Sequence, residues 1–322
     1  MRVLVTGGAG YVGSTLVPIL LGAGHSVRVL DSLLHGGAAL LGVWSHPDFE
    51  FRHGDVRDGD AVRDAVSGVD AVVHLAAIVG DPACAREPEA ARQVNLEGSL
   101  RLLEEADKAK VGQFVFASTC SNYGKMTNPD VLVDEDAELR PVSLYAETKV
   151  AVEREVLSRG ERDRLKCTAL RFATVFGASP RMRFDLTVNE FTLRMLVEKA
   201  LVVYGEQFWR PYVHVRDAAL GIRMILEAPS HKTAGRVYNV GSTEQNFRKQ
   251  DLVEMIRPFA PEAEVKYVHK DEDPRDYRVS FARIGRALGY TTSRTVDDGI
   301  REVVALARSG MFTDADDPAV RN

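Results

Sequence analysis

The sequence predicts an α/β fold: a doubly wound parallel sheet with a smaller α/β domain after it. Three features carry that expectation. Short apolar strands alternate with segments of helix length from Val3 to Phe172, a glycine-rich turn follows the first strand, and an aspartate closes the second. Parallel neighbours need a crossover of helix length, so the alternation implies right-handed βαβ units with helices on both faces of the sheet.

In order, Val3 to Thr6 is a short apolar strand and Tyr11 to Leu21 the helix after it. Ser26 to Leu30 is a second strand ending at Asp31, Phe49 to His53 a third, and Ala71 to Leu75 a fourth. The loop Leu33 to Pro47 is unusually apolar (Leu34, Leu40, Leu41, Val43, Trp44), which suits either a short helix or cover by a partner subunit. A long helical stretch runs from about Pro88 to Lys108, Gln113 to Ala117 is a fifth strand, Ser143 to Ser158 a helix, and Leu165 to Phe172 a sixth strand. Beyond Gly177 the alternation breaks. A helix is expected near Val188 to Ala200, with Tyr212 to Val215 and Val237 to Val240 as short strands returning to the sheet. Two or three helices follow, with turn signals at Pro258, Pro261 and Gly289. The expected division is 1–173 as the cofactor domain with a returning segment near 212–240, and 174–211 plus 241–322 as the substrate domain.

The composition is that of a globular chain: 322 residues, 45% hydrophobic and 27% charged. A net charge of -5 argues against nucleic acid as a partner, because neutralising phosphates takes a basic face. Cys84, Cys120 and Cys167 form no CxxC pair, which fits a reducing, cytoplasmic setting, and no metal site is expected. No apolar run approaches the ~20 residues of a membrane span, and Met1 to Val5 reads as a strand rather than a signal peptide.

Thr6-Gly7-Gly8-Ala9-Gly10-Tyr11-Val12-Gly13 lies between the first strand and the first helix. Glycines there allow a tight turn, close approach of backbone amides to a pyrophosphate, and close packing of helix on strand, which makes the sheet Rossmann-type. Asp31 stands where a carboxylate accepts both adenosine ribose hydroxyls and repels a 2′-phosphate, so NAD is favoured over NADP; a solvated loop carboxylate is the plainer alternative. Asp55 either reaches the adenine amine or caps the helix beginning near Asp58.

Tyr145 and Lys149 are four residues apart, hence on one helix face. An ammonium and the positive nicotinamide ring both favour phenolate, as a base for a sugar hydroxyl requires, although Tyr-x-x-x-Lys also occurs on ordinary amphipathic helices. Thr119, just past the fifth strand, falls at the carboxyl end of the sheet, where its hydroxyl can hydrogen-bond the oxygen being oxidised; turn chemistry is the alternative there.

Thr6–Gly13, Asp31, Gly54-Asp55, His74-Leu75-Ala76-Ala77, Asn95, Ser118-Thr119, Tyr123-Gly124 and Tyr145–Lys149 together resemble the extended short-chain dehydrogenase/reductase family of NAD-dependent nucleotide-sugar epimerases and dehydratases, its UDP-glucose 4-epimerase-like members in particular. Arg210-Pro211-Tyr212-Val213-His214-Val215-Arg216-Asp217 and Tyr238-Asn239-Val240-Gly241 extend the likeness over essentially the whole chain. The resemblance implies a catalytic trio of Thr119, Tyr145 and Lys149. It implies cofactor contacts from Gly7, Gly10, Tyr11, Val12, Asp31, Asp55, Val56, Leu75, Ala76, Ala77, Asn95, Tyr145, Lys149, Phe172 and Val175. Asn189 and Arg210 would hold the substrate diphosphate, with Arg275 in Asp273-Pro274-Arg275-Asp276-Tyr277 a further candidate; a helix-face amide and a salt bridge to a flanking aspartate are the plainer readings of Asn189 and Arg275.

Departures from the family pattern bear on the reaction. Dehydratases carry Asp-Glu after the threonine, and decarboxylases keep the Glu, whereas this chain has Cys120-Ser121. Cys120 is either an acid or base in their place or a small packed hydrophobe. Thr174 stands where many relatives have Asn, and Arg181 and Arg183 either meet an anionic sugar or are loop charges; Thr174 and Arg181 complete the substrate candidates. The expected activity is a nucleotide-sugar epimerase, at C4, working through a 4-keto sugar with Tyr145 as base. The alternatives are a nucleotide-sugar dehydrogenase or keto-sugar reductase, a dehydratase or decarboxylase using Cys120, and an NAD-sensing or scaffold protein. The family also implies a homodimer through the helices near 87–108 and 143–158.

Overall fold

The computed structural model describes residues 1–125, 131–159, 163–271 and 275–322. In chain order the strands are β1 (Arg2–Thr6), β2 (Ser26–Asp31), β3 (Phe49–His53), β4 (Ala71–His74), β5 (Gln113–Thr119), β6 (Leu132–Val133), β7 (Lys166–Phe172), β8 (Thr174–Phe176), β9 (Ala200–Tyr204), β10 (Trp209–His214), β11 (Arg236–Val240), β12 (Asn246–Arg248), β13 (Glu264–Val268) and β14 (Arg278–Val279). The α-helices are α1 (Tyr11–Gly22), α2 (Gly59–Val66), α3 (Asp81–Arg86), α4 (Pro88–Arg92), α5 (Ser99–Lys108), α6 (Leu144–Ser158), α7 (Thr187–Val197), α8 (Val215–Glu227), α9 (Ser230–Thr233), α10 (Lys249–Ile256), α11 (Ala282–Leu288) and α12 (Val296–Arg308).

Seven strands form one sheet in the order β11-β7-β5-β4-β1-β2-β3, every pair parallel. Side chains alternate across a strand, and β1 shows the result: Val3 and Val5 enter a core with α1 and α8, whereas Leu4 enters a second core with α2, α5 and α6. Both faces are covered, so the middle of β1, Val3 to Val5, is apolar rather than alternating. β1 is also where strand order reverses, and the crevice beyond the carboxyl ends of β1 and β4 is where such sheets bind ligands. A third core, with Phe176, Val188, Met195, Tyr212, Leu252 and Ile300, lies under two small sheets, β12-β10-β8 and β13-β9.

Several boundaries differ from expectation. β11 returns to the large sheet beside β7, but β10 pairs with β8 and β12, so residues 209–214 belong with the smaller unit. Val215 begins α8 rather than ending a strand. His214 caps that helix, its Nδ1 accepting from Arg216 N at 3.1 Å, and the buried Asp217 carboxylate accepts from Ser293 and Arg294, fixing the helix against the C-terminal segment. A helix starting there is not expected because Tyr212 to Val215 reads locally as a strand. Likewise α7 ends at Val197, short of the expected Ala200, and β9 begins there because β13 supplies it with a partner from far along the chain. The helical stretch from Pro88 contains a π-turn over Gln93–Gly98, and the apolar loop holds a short 3-10 helix, Ala38–Val43, that buries Leu40.

Candidate active site

A single cleft of about 1080 Å³ runs from the glycine turn, past the carboxyl ends of β4, β5 and β7, to α7, β9 and the segment at Arg275. That volume is at the upper end of what single-ligand sites use, and suits a dinucleotide together with a second ligand.

At one end the wall is mostly backbone. Gly7 has φ +74°, and a Cβ there would lie 2.7 Å from Ala76 N; at Gly13 a Cβ would lie 2.2 Å from Gly7 O. These are close approaches that no side chain fits. They bring the first turn of α1, with its unpaired amides, against the crevice. Asp31 faces this turn, accepting from Ala9 N at 2.9 Å and Leu33 N at 2.8 Å. Burial raises its pKa, against the lowering effect of those two amides. Asp55 forms a bidentate pair with Arg57, which holds its carboxyl below the usual range, and Asp58 caps α2 instead. Gly10, Tyr11, Val12, Val56, Leu75, Ala76, Ala77, Phe172 and Val175 line the same cleft.

Asn95 does not. It is buried in the π-turn, and its amide grips Ile78 through N at 2.8 Å and O at 2.9 Å, so it fixes the loop after β4 from behind. The floor is fixed similarly: His74 links Thr6 on β1 at 2.7 Å to Ser99 on α5 at 2.8 Å. Burial and the Lys149 charge push the His74 pKa down to about 3, so the ring is neutral.

The catalytic candidates meet at the middle of the cleft. Thr119 ends β5 and keeps its hydroxyl on the cleft, accepting from Ser121 N at 3.1 Å. Ser143 caps α6, whose first turns carry Tyr145 and Lys149. Lys149 Nζ donates to Ala117 O at 2.8 Å and lies 5.9 Å from the Tyr145 ring centroid. Burial lowers the Lys149 pKa to about 8 and raises that of Tyr145 above its ordinary value. Among the charges acting on Tyr145, Arg183 lowers its pKa and Asp81 raises it. The phenol therefore needs further positive charge beside it to ionise near neutral pH.

Cys120 is not in the cleft. It is buried, its thiol donating to Arg171 O at 3.3 Å, and burial raises its pKa well above the ordinary thiol value. In the 3-10 turn Cys120–Tyr123 that follows β5, the Cys120 side chain joins the core, while Ser121 lines the cleft.

The substrate candidates divide. Asn189 is buried away from the cleft: its Oδ1 accepts from Gly177 N at 2.9 Å, and its Nδ2 donates to Arg183 O at 2.9 Å and Tyr11 OH at 3.2 Å. It ties α7 to the loop after β8 rather than facing a ligand. Thr174, Arg210 and Arg275 line the cleft. Arg210 bonds the carbonyls of Trp209 and Arg275, with its guanidinium 5.7 Å from the Tyr277 ring centroid. Arg275 pairs at 2.9 Å with Asp81 across the cleft, while Asp276 accepts from Trp209 N; Asp273 and Pro274 lie outside the described residues. Arg181 is buried near the glycine turn, its own N–H donating to Ser14 Oγ at 3.2 Å and its Nη2 to Arg321 O at 2.8 Å. Its Nε and Nη1 have no partner among the described residues, and burial lowers its pKa to about 10. Arg183 is paired with Asp185 at 2.6 Å. Sequence reasoning gave no role to Asp81, Ser143 or Tyr277, since none belongs to a local pattern.

Among the described residues no helix is long and apolar enough to cross a membrane, and no cluster of His, Cys, Asp or Glu is grouped as for a metal ion. Compared with known proteins, the chain is 30% identical over 310 residues to the low-salt glycan biosynthesis protein Agl12 of Haloferax volcanii, covering 94% of this chain and 97% of that one. It is 29% identical to UDP-glucose 4-epimerase of Corynebacterium glutamicum, covering 92% of each. The solved dTDP-glucose 4,6-dehydratase DesIV of Streptomyces venezuelae, in complex with NAD, superposes with a TM-score of 0.86 at 29% identity, covering 99% of this chain and 100% of that one. Residues 3–241 match the model of the NAD dependent epimerase/dehydratase family, and the chain belongs to that family.

Proposed function

We propose that this chain is a nucleotide-sugar 4-epimerase that retains its NAD through turnover. The observation carrying the reading is the pairing of a complete Thr119–Tyr145–Lys149 set on the cleft with a Cys120 turned into the core and only a serine hydroxyl at position 121. The proton-transfer group that a lyase route uses after the threonine is thus missing from the wall.

The residues present fit NAD. The glycine turn leaves a cradle that a Cβ would fill, Asp31 stands at the end of β2, and Arg181 presents two buried donors without partners beside the first turn of α1. Arg181 suits the cofactor pyrophosphate, since a buried cation with open donors is costly unless an anion meets it. When bound, NAD supplies an acceptor that takes a hydride from the sugar carbon and returns it. Tyr145 takes the C4 hydroxyl proton and gives it back. Thr119 holds the same oxygen by a hydrogen bond. Lys149, its pKa lowered by burial to about 8, stays mostly charged at neutral pH and favours the phenolate. Arg210 and Arg275 face the diphosphate of the substrate from the opposite wall. The reading includes a homodimer through α5 and α6, which light scattering tests by a doubled mass.

Denaturing the purified protein and identifying what it releases by mass spectrometry tests the retained cofactor. NAD near one per chain is the expected result. A chain that releases none, and binds NAD only weakly, contradicts it and favours a dehydrogenase that exchanges its dinucleotide.

A further inference from the structure

Position 121 leaves the catalytic strand without a carboxylate, but the facing wall has one. Asp81 follows the loop after β4 and lies on the cleft with its side chain 26% exposed. Its Oδ1 accepts from Ser143 Oγ at 2.7 Å and its Oδ2 pairs with Arg275 Nη1 at 2.9 Å. Ser143 caps the helix that carries Tyr145, so the carboxylate is anchored two residues from the base and joined across the cleft to the substrate side. A carboxylate has about four acceptor positions, so these two bonds leave capacity for hydroxyl donors.

We propose that Asp81 is the specificity-determining residue of the sugar pocket, accepting hydroxyls of a neutral hexose and disfavouring a uronate. The inference rests on the nucleotide-sugar reading and names the sugar class for it. A hydroxyl placed against Asp81 Oδ1 or Oδ2 gains a charge-assisted hydrogen bond, whereas a sugar carboxylate there meets a like charge, and the cation beside it, Arg275, is already engaged by Asp81 Oδ2 at 2.9 Å. Arg183 does not offset this for a uronate, because Asp185 already holds its fork at 2.6 Å.

The test is calorimetric, on the NAD-loaded protein. UDP and dTDP serve as reference nucleotides, followed by the glucose and glucuronate esters of whichever binds more tightly. In the native chain the glucose ester should bind at least about tenfold more tightly than the glucuronate ester. Asp81→Asn should shift that ratio toward unity by about tenfold while leaving the reference nucleotide within about threefold, and Asp81→Glu, which keeps the charge, should preserve the preference. A ratio unchanged in Asp81→Asn overturns the inference and leaves the nucleotide-sugar reading standing. Should that variant not fold, the native chain decides alone: a glucuronate ester binding as tightly as the glucose ester overturns it. Failure of UDP and dTDP, and of GDP and CDP tested beside them, to bind overturns the nucleotide-sugar reading itself.

Discussion

The two ends of the cleft are built differently. At the Asp31 end the wall is backbone: a turn that only glycine allows, the first amides of α1, and one carboxylate at a strand end. At the Arg275 end it is side chains from separated parts of the chain, with Asp81, Ser143, Arg210 and Arg275 joined by hydrogen bonds and an ion pair. The first kind of site is encoded locally and tolerates little change. The second is assembled by tertiary structure, and its residues can be exchanged to alter the ligand while the fold is kept.

The largest effect should come where the two ends meet. Tyr145→Phe is expected to reduce turnover by roughly 10²–10⁴-fold, the range for a lost acid–base group, while the NAD content of the purified protein stays unchanged. Loss of NAD together with turnover would mean that Tyr145 belongs to cofactor binding alone. At the backbone end, Gly13→Ala places a methyl against Gly7 O and Gly8. It should cost about 1–3 kcal/mol of stability and release the cofactor, read by a thermal melt and the 260 nm absorbance of the purified protein. An alanine variant that keeps NAD would show the turn to be looser than drawn.

Asn189→Ala sharpens the contrast within the substrate half. Gly177 N loses its buried acceptor, and the expected cost is about 1–3 kcal/mol in denaturant melts. Nucleotide-sugar KM measured below the melt should stay within about threefold; a much larger rise in KM at unchanged stability would return Asn189 to the ligand. His74 gives a pH signature. Its folded pKa is depressed to about 3, so as pH falls below about 6.5 the unfolded chain takes up a proton that the fold excludes. Stability is therefore full above about 6.5 and declines toward pH 3 by at most about 1.4 kcal/mol per unit from this group, and His74→Gln should flatten that slope in urea titrations. The smallest effect is expected at Cys120: Cys120→Ala should leave kcat within about threefold, since the thiol is buried and protonated.

The parts of the molecule legible in the sequence follow the same division. Glycine spacing, the apolar strands and the Asp31 position each depend on neighbours within a few residues, and the large sheet and the cofactor end were read from them. The Tyr145–Lys149 spacing was legible because one helix holds both. What escapes depends on distant partners: β10 reads as part of the large sheet because β8 and β12 cannot be seen from its own residues, and β9 goes unassigned because its partner β13 lies far along the chain. The resemblance gives Asn189 to the diphosphate and leaves Cys120 open between an acid or base and a packed hydrophobe; which side chains are covered is decided by packing. Arg181 is left open between an anionic sugar and a loop charge by its local sequence; its backbone N–H meets Ser14 in the first turn of α1. The loop Gly80 to Cys84 is expected to border the sugar, but Asp81 has no assignable role in it until Arg275 and Ser143 are seen around it.

The central claim is an epimerase in which protons move only at the C4 oxygen. The direct measurement is to incubate the protein as purified with UDP-glucose and dTDP-glucose in D₂O and follow the sugars by NMR and mass spectrometry. Interconversion of the C4 epimers without added NAD, and without deuterium at any carbon, is the predicted result. Loss of water from the sugar with deuterium entering at the carbons beyond C4 would contradict the account and make the chain a dehydratase.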